Sequence, residues 1–107
     1  MFNNAMRSLD RIEKLKYNWN SHYALPFTKG VIDACRQLLS LLLKEPEVFP
    51  TAADSIELDF YLSGWDLEVE VFSAHNIQIY ESSIDKLINA NSVEDAAKYI
   101  NSYLQGK

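Results

Sequence analysis

Two hydrophobic periods divide the chain. Val31, Ile32, Cys35, Leu38, Leu39 and Leu42 recur at i, i+1, i+4, i+7, i+8 and i+11. That is the 3.6-residue period of an amphipathic helix, with Thr28 as its N-cap and Pro46 closing the segment. Upstream, Met6, Leu9, Ile12 and Leu15 predict a first helix, capped by Asn3 or Asn4 and running to about Tyr17. Arg7, Arg11 and Lys14 lie beside its apolar face at i, i+4 and i+7 and make a basic stripe. After a turn over Pro50 to Asp54 the period changes to two. Ile56, Leu58, Phe60 and Leu62 alternate with Glu57, Asp59 and Tyr61; beyond Ser63-Gly64, Trp65, Leu67, Val69 and Val71 alternate with Asp66, Glu68 and Glu70. Two alternating runs around a Gly-containing pair of residues predict a β-hairpin.

A third strand is expected at Ile77 to Tyr80, after a turn in which Asn76 takes positive φ. Ser82 or Ser83 then opens a short helical turn near Ile84–Asn89. Ser92-Val93-Glu94-Asp95 resembles a capping box and begins a last helix through Leu104, with Val93, Ala96, Ala97, Ile100 and Leu104 on its inner face. The expected architecture is one α+β domain over residues 1–107, in the order α-α-β-β-β-α. A three-stranded antiparallel meander has one apolar face, which the helices must cover. Residues 18–27 make an ordered loop, because Trp19, Tyr23 and Phe27 are too apolar to be left in water.

Composition adds a boundary to this picture. With 107 residues, 48% of them hydrophobic, the chain can bury a modest core. No apolar run is long enough to cross a bilayer, and no leader is expected at the N-terminus. A single cysteine, Cys35, excludes an internal disulfide and suits a reducing, cytoplasmic setting. The charge is more informative. The net charge is −5, but residues 1–44 carry seven Lys/Arg against three Asp/Glu, whereas residues 45–81 carry nine acids and no base. A middle segment of one sign repels phosphates, so direct nucleic-acid binding is not expected. It attracts a protein with a basic surface, a second copy of the chain as a homodimer, or the chain's own basic first helix folded over it.

The segment Asn18-Trp19-Asn20-Ser21-His22-Tyr23-Ala24-Leu25-Pro26 resembles the "NWDGYGAxP" box of a group of small bacterial proteins. Pro46-Glu47-Val48-Phe49-Pro50-Thr51, with Ile56–Phe60 and Leu67–Val71, is similar to the "PxVxPT…vxLEW…LEIEI" stretch of the same group. The likeness spans about residues 9–81. Asn18, Trp19, Ala24 and Pro26 match the box, while Asn20, Ser21, His22 and Tyr23 replace its Asp-Gly-Tyr-Gly. The resemblance implies a bacterial or phage origin and the same fold order, and it implies no activity.

Catalytic and metal chemistry finds little support. His22 and His75 are the only histidines, and no C-x-x-C or H-x-x-x-H spacing accompanies them, so neither a metal nor a cofactor is expected. Cys35 lies on an apolar helix face, where a buried thiol is inert. No glycine-rich loop exists to cradle a phosphate. Trp19 and Tyr23 are candidates for an aromatic recognition patch; the competing reading packs them into the core.

The acidic hairpin departs most from an ordinary surface. If Leu62 pairs with Trp65 across the turn, Asp59 faces Glu68 and Glu57 faces Glu70. Like charges in register cost roughly 0.2–1 kcal/mol per pair. Glu57, Asp59, Asp66, Glu68 and Glu70 are therefore the candidate partner-binding residues. The expected function is a non-enzymatic protein-binding module, antitoxin-like, immunity-like or an anti-defence inhibitor, acting through this face. The alternatives are a self-associating subunit, a hydrated acidic sheet without a partner, a divalent-cation site and an enzyme with paired carboxylates such as Glu57 and Glu70. A divalent cation fits poorly because strand spacing does not converge carboxylates on one point.

Overall fold

The computed structural model describes residues 2–20, 26–62 and 65–106, apart from the side chains of Leu62 and Trp65. The elements are α1 (Asn3–Glu13), α2 (Lys29–Leu41), β1 (Glu47–Pro50), β2 (Ile56–Leu62), β3 (Trp65–Ser73), β4 (Asn76–Glu81), β5 (Lys86–Ala90) and α3 (Val93–Gln105). A 3-10 turn, Ser82–Ile84, separates β4 from β5. The five strands form one antiparallel meander in the order β1-β2-β3-β4-β5. The expected three-stranded sheet and the α-α-β-β-β-α order are thus corrected: the sheet gains a strand at each edge.

Both added strands have a physical explanation. β1 is bracketed by Pro46 and closed by Pro50, which read as breakers in the sequence. An edge strand tolerates proline because one side of it needs no ladder hydrogen bonds. β1 pairs Val48 with Leu58 and Phe49 with Glu57. β5, Lys-Leu-Ile-Asn-Ala, lacks strict alternation. The helical turn expected from Ser82 or Ser83 does start at Ser82, but it is a 3-10 turn that stops at Ile84, and Lys86–Ala90 form a strand where the turn was expected to run on to Asn89. Asp85, at φ 49° and ψ 50°, ends the 3-10 turn and reverses the chain so that Ile79 pairs with Ile88. Asp is among the few residues that accept this left-handed geometry. Tyr80 Oη donates to Asp85 Oδ1 at 2.7 Å and holds the corner.

The hairpin register is the one the two-residue connection predicts, with Leu62 against Trp65, Asp59 against Glu68 and Glu57 against Glu70. The β3–β4 register shifts between Val71 and Ser73, just before the following turn. Asn76 there does not take positive φ; among the described residues that geometry belongs to Asn18, Asp54 and Asp85.

All three helices pack on one side of the sheet. Ile56, Leu58, Leu67, Val69, Val71, Ile77 and Ile79 are fully buried beneath them. α2 lies centrally, with Leu38 and Leu39 in the core; α1 packs against α2 and β1, and α3 against α2, β4 and β5. Two helix ends are fastened from a distance. The N-cap of α1 is Phe2, not Asn3 or Asn4, and its side chain caps nothing. Glu45 instead reaches over from the α2–β1 connection, and its Oε2 accepts the Ala5 N–H at 2.9 Å. A carboxylate is well placed at the positive end of a helix. α1 also ends at Glu13 rather than near Tyr17. On α3, Asn101 secures the end of α2: its amide donates to the Leu41 carbonyl at 2.8 Å and accepts from Leu43 N–H at 3.0 Å. α3 itself starts as expected, with Ser92 Oγ accepting from Asp95 N–H at 3.0 Å.

Candidate functional site

Because the helices occupy one side, the other face of the sheet is left to its own side chains. The period of two decides what stands there. From β1 come Glu47 and Phe49, from β2 Glu57, Asp59 and Tyr61, from β3 Asp66, Glu68 and Glu70, from β4 Gln78 and Tyr80, and from β5 Leu87 and Asn89. Two cross-strand rows result. One runs Glu47, Asp59, Glu68, Tyr80, Leu87; the next runs Phe49, Glu57, Glu70, Gln78, Asn89. The first places three carboxylates side by side on neighbouring strands. No lysine or arginine occupies a position in either row.

Asp59 is the centre of this surface. It stands on the outward side as the alternation requires, yet it is only 7% exposed. Strand β1, absent from the expected fold, supplies Glu47 on its other flank and makes β2 an interior strand. Tyr61, two residues on and so on the same face, donates its hydroxyl to Asp59 Oδ2 at 3.1 Å. Asp59 Oδ1 is buried and receives no hydrogen bond from a standing donor. Such an atom is costly unless something satisfies it.

Glu57 is half-buried beside it. Desolvation first, then a side-chain hydrogen bond to Asp59 and the charges of Asp59, Glu68 and Glu70, push its carboxyl up to about 7. Two ionised carboxylates cannot hydrogen-bond each other, so a hydrogen bond within this pair needs one of the two protonated. Glu68 is also raised, by desolvation and then by Asp59 and Asp66. Tyr61 is pushed up to about 12 by desolvation and by its hydrogen bond to Asp59.

Glu70, opposite Glu57, is held differently. The buried Ser55 donates its hydroxyl to Glu70 Oε2. With that proton committed, the close Thr51–Ser55 contact has Thr51 as donor, and Thr51 Oγ1 in turn accepts the Ala53 N–H at 3.1 Å. This hydroxyl relay ties the β1–β2 turn to the acidic face.

Three of the nine acids in residues 45–81 do not contribute to this face. Glu45 caps α1, Asp54 holds a left-handed turn position, and Glu81 is buried on the helix side, accepting from Tyr99 Oη. Burial first and that hydrogen bond second push Tyr99 up to about 12.

The other candidates are placed as follows. Trp19 is half-buried, and its ring lies 5.7 Å from that of Phe27 at a 39° tilt; Phe27 in turn packs against the core. Tyr23 and His22 lie outside the described residues. His75 is exposed in the β3–β4 turn. Cys35 is fully buried, and burial pushes its thiol up to about 12. Among the described residues, no three His, Cys, Asp or Glu side chains group in a way that could hold a metal ion. Nor is any described helix long and apolar enough to cross a membrane.

The basic stripe lies elsewhere. Arg7 and Arg11 on α1, and Lys14 at its C-cap, are exposed in the helix layer. The acids of that helix are already engaged: Arg36 of α2 bridges Asp10 at 2.9 Å and Glu13 at 2.8 Å. Those two ion pairs, the only ones among the described residues, do not involve the sheet. The molecule is therefore polarised, with unmatched positive charge on the helix side and unmatched negative charge on the open sheet face. Compared with protein-family models, curated proteins and solved structures, the chain matches none.

Proposed function

We propose that this chain is a small non-enzymatic protein-binding module that docks a partner's basic surface on its open sheet face. Antitoxins, immunity proteins and anti-defence inhibitors are the functional classes that work this way, and the sequence resemblance to small bacterial proteins accords with a bacterial or phage source. One observation carries the reading. A five-stranded sheet presents Glu47, Glu57, Asp59, Asp66, Glu68 and Glu70 together, with no basic side chain in its cross-strand rows. A carboxylate array of this kind steers and orients a cationic partner more than it stabilises its own fold.

The test pairs stability with capture. Asp59→Asn combined with Glu68→Gln removes one cross-strand repulsion and should leave stability unchanged or raise it by up to ~1 kcal/mol. The same variant should lose the partner that wild-type protein retains from its host, and rising salt should elute that partner. Retention of one partner by both proteins would place the contact elsewhere.

Head-to-tail self-association is the second reading. The position of the α1 stripe in the helix layer, away from the acidic face, favours it. A salt-sensitive dimer abolished by Arg7→Glu with Arg11→Glu would select it over a foreign partner.

A further inference from the structure

The acidic face contains one internal inconsistency, a buried carboxylate oxygen with no standing donor. Asp59 Oδ1 is buried without a hydrogen-bond partner, and the neighbouring Glu57 carboxyl, when protonated, can supply it with a hydrogen. Every group that faces the pair is acidic, neutral or aromatic. Glu47 and Phe49 face it from β1, Glu68 and Glu70 from β3, and Tyr61 from its own strand, with the Ser55 hydroxyl behind Glu70. Tyr80 and Gln78 of β4 stand beyond Glu68 and Glu70.

Resting on the docking reading above, we propose that the Glu57–Asp59 pair is the seat for a partner's arginine side chain, and that a proton fills this seat in the free protein. The seat needs one positive charge at the point where two carboxyl groups meet. A metal ion does not suit it, because strand spacing brings no three ligands together. A guanidinium needs only two oxygens in a plane, which its fork can bridge. Phe49, directly opposite Glu57 and 39% exposed, and Tyr61, 57% exposed, offer ring faces on which that planar group can stack.

Docking is then an exchange. The arriving guanidinium makes the shared proton redundant, and Glu57 releases it to solvent. Freed of that hydrogen bond and repelled by Asp59, the longer Glu57 side chain swings outward and uncovers Asp59 Oδ1. The guanidinium bridges both carboxylates. Only the Glu57 O–H bond breaks, its proton passing to water or buffer, and one proton leaves for one cation that arrives. Binding should therefore tighten by roughly tenfold between pH 6 and pH 8, the range over which the seat empties by itself.

The experiment uses an arginine hexapeptide as the probe, titrated calorimetrically at low salt into the whole protein. Runs at pH 7 in phosphate and in imidazole, whose ionisation enthalpies differ, count the protons released. About half a proton per peptide is expected for wild type, since the seat is then half-filled. Glu57→Gln keeps a donor against Asp59 Oδ1 but has no proton to release, so its enthalpy should not depend on buffer, and it should bind more weakly. Buffer-independent binding by wild type would overturn the proton-filled seat while leaving the docking face intact. Absence of peptide binding to wild type would overturn the docking reading and the seat with it. Equal affinity for a lysine hexapeptide would overturn the bridging, stacked guanidinium.

Discussion

Glu57→Gln also makes a prediction about the free protein. The Glu57 carboxyl moves from an ordinary 4.5 to about 7 on folding. At about 1.36 kcal/mol per pKa unit, a shift of that size corresponds to roughly 3 kcal/mol. Glu57 is only half-buried, and solvent screening at such a face reduces the realised effect to about 1–2 kcal/mol. The sign follows from linkage. The folded state holds this proton more tightly than the unfolded chain, so the contribution is fully present below pH 4.5. It is lost as pH rises through about 7. Glutamine preserves the donor to Asp59 without the charge. The variant should therefore match wild type near pH 4.5 and exceed it by ~1–2 kcal/mol at pH 8, the discounted figure above. Urea unfolding followed by far-ultraviolet circular dichroism at several pH values measures this. Subtracting wild type from variant cancels the titration of the other groups. A difference that stays constant across pH would refute the raised carboxyl and the shared proton together.

Three further substitutions probe the frame that presents the face. Leu39→Ala should cost ~2–5 kcal/mol in a denaturant titration, because Leu39 is 1% exposed at the centre of the core. Glu45→Ala removes the distant cap of α1 and should cost about 0.5–2 kcal/mol, with faster amide exchange at Ala5 as its local signature. Asn101→Ala leaves the Leu41 carbonyl and Leu43 N–H without their shared partner and should lower stability by about 1–2 kcal/mol in thermal unfolding.

Much of this molecule is legible along the chain because the relevant physics is local. The stripe from Val31 to Leu42 names the core face of α2, since a 3.6-residue period admits one buried side. Ser92 announces α3 through a hydrogen bond that spans only three residues. The β2–β3 register follows from a two-residue turn and strict alternation, so Glu57 against Glu70 and Asp59 against Glu68 can be written from the sequence. The edge strands could not. β1 hides behind two prolines, and β5 has no alternating pattern, since an edge strand is specified by its neighbour's ladder more than by its own residues.

That difference decides the candidate site. The sequence by itself determined the hairpin, its register, the outward placement of five carboxylates and the opposite charge of the first helix. All of these follow from periodicity and from counting charges. Only the tertiary structure decided that β1 flanks β2 and brings Glu47 beside Asp59, and that the helices leave the acidic face open. It also diverted Glu45 and Glu81 to structural work, because a charge's role depends on what packs against it. An alternating pattern assigns Asp59 to the outer face, but its burial comes from residues on three strands, and long-range neighbours of that kind leave no trace in local spacing.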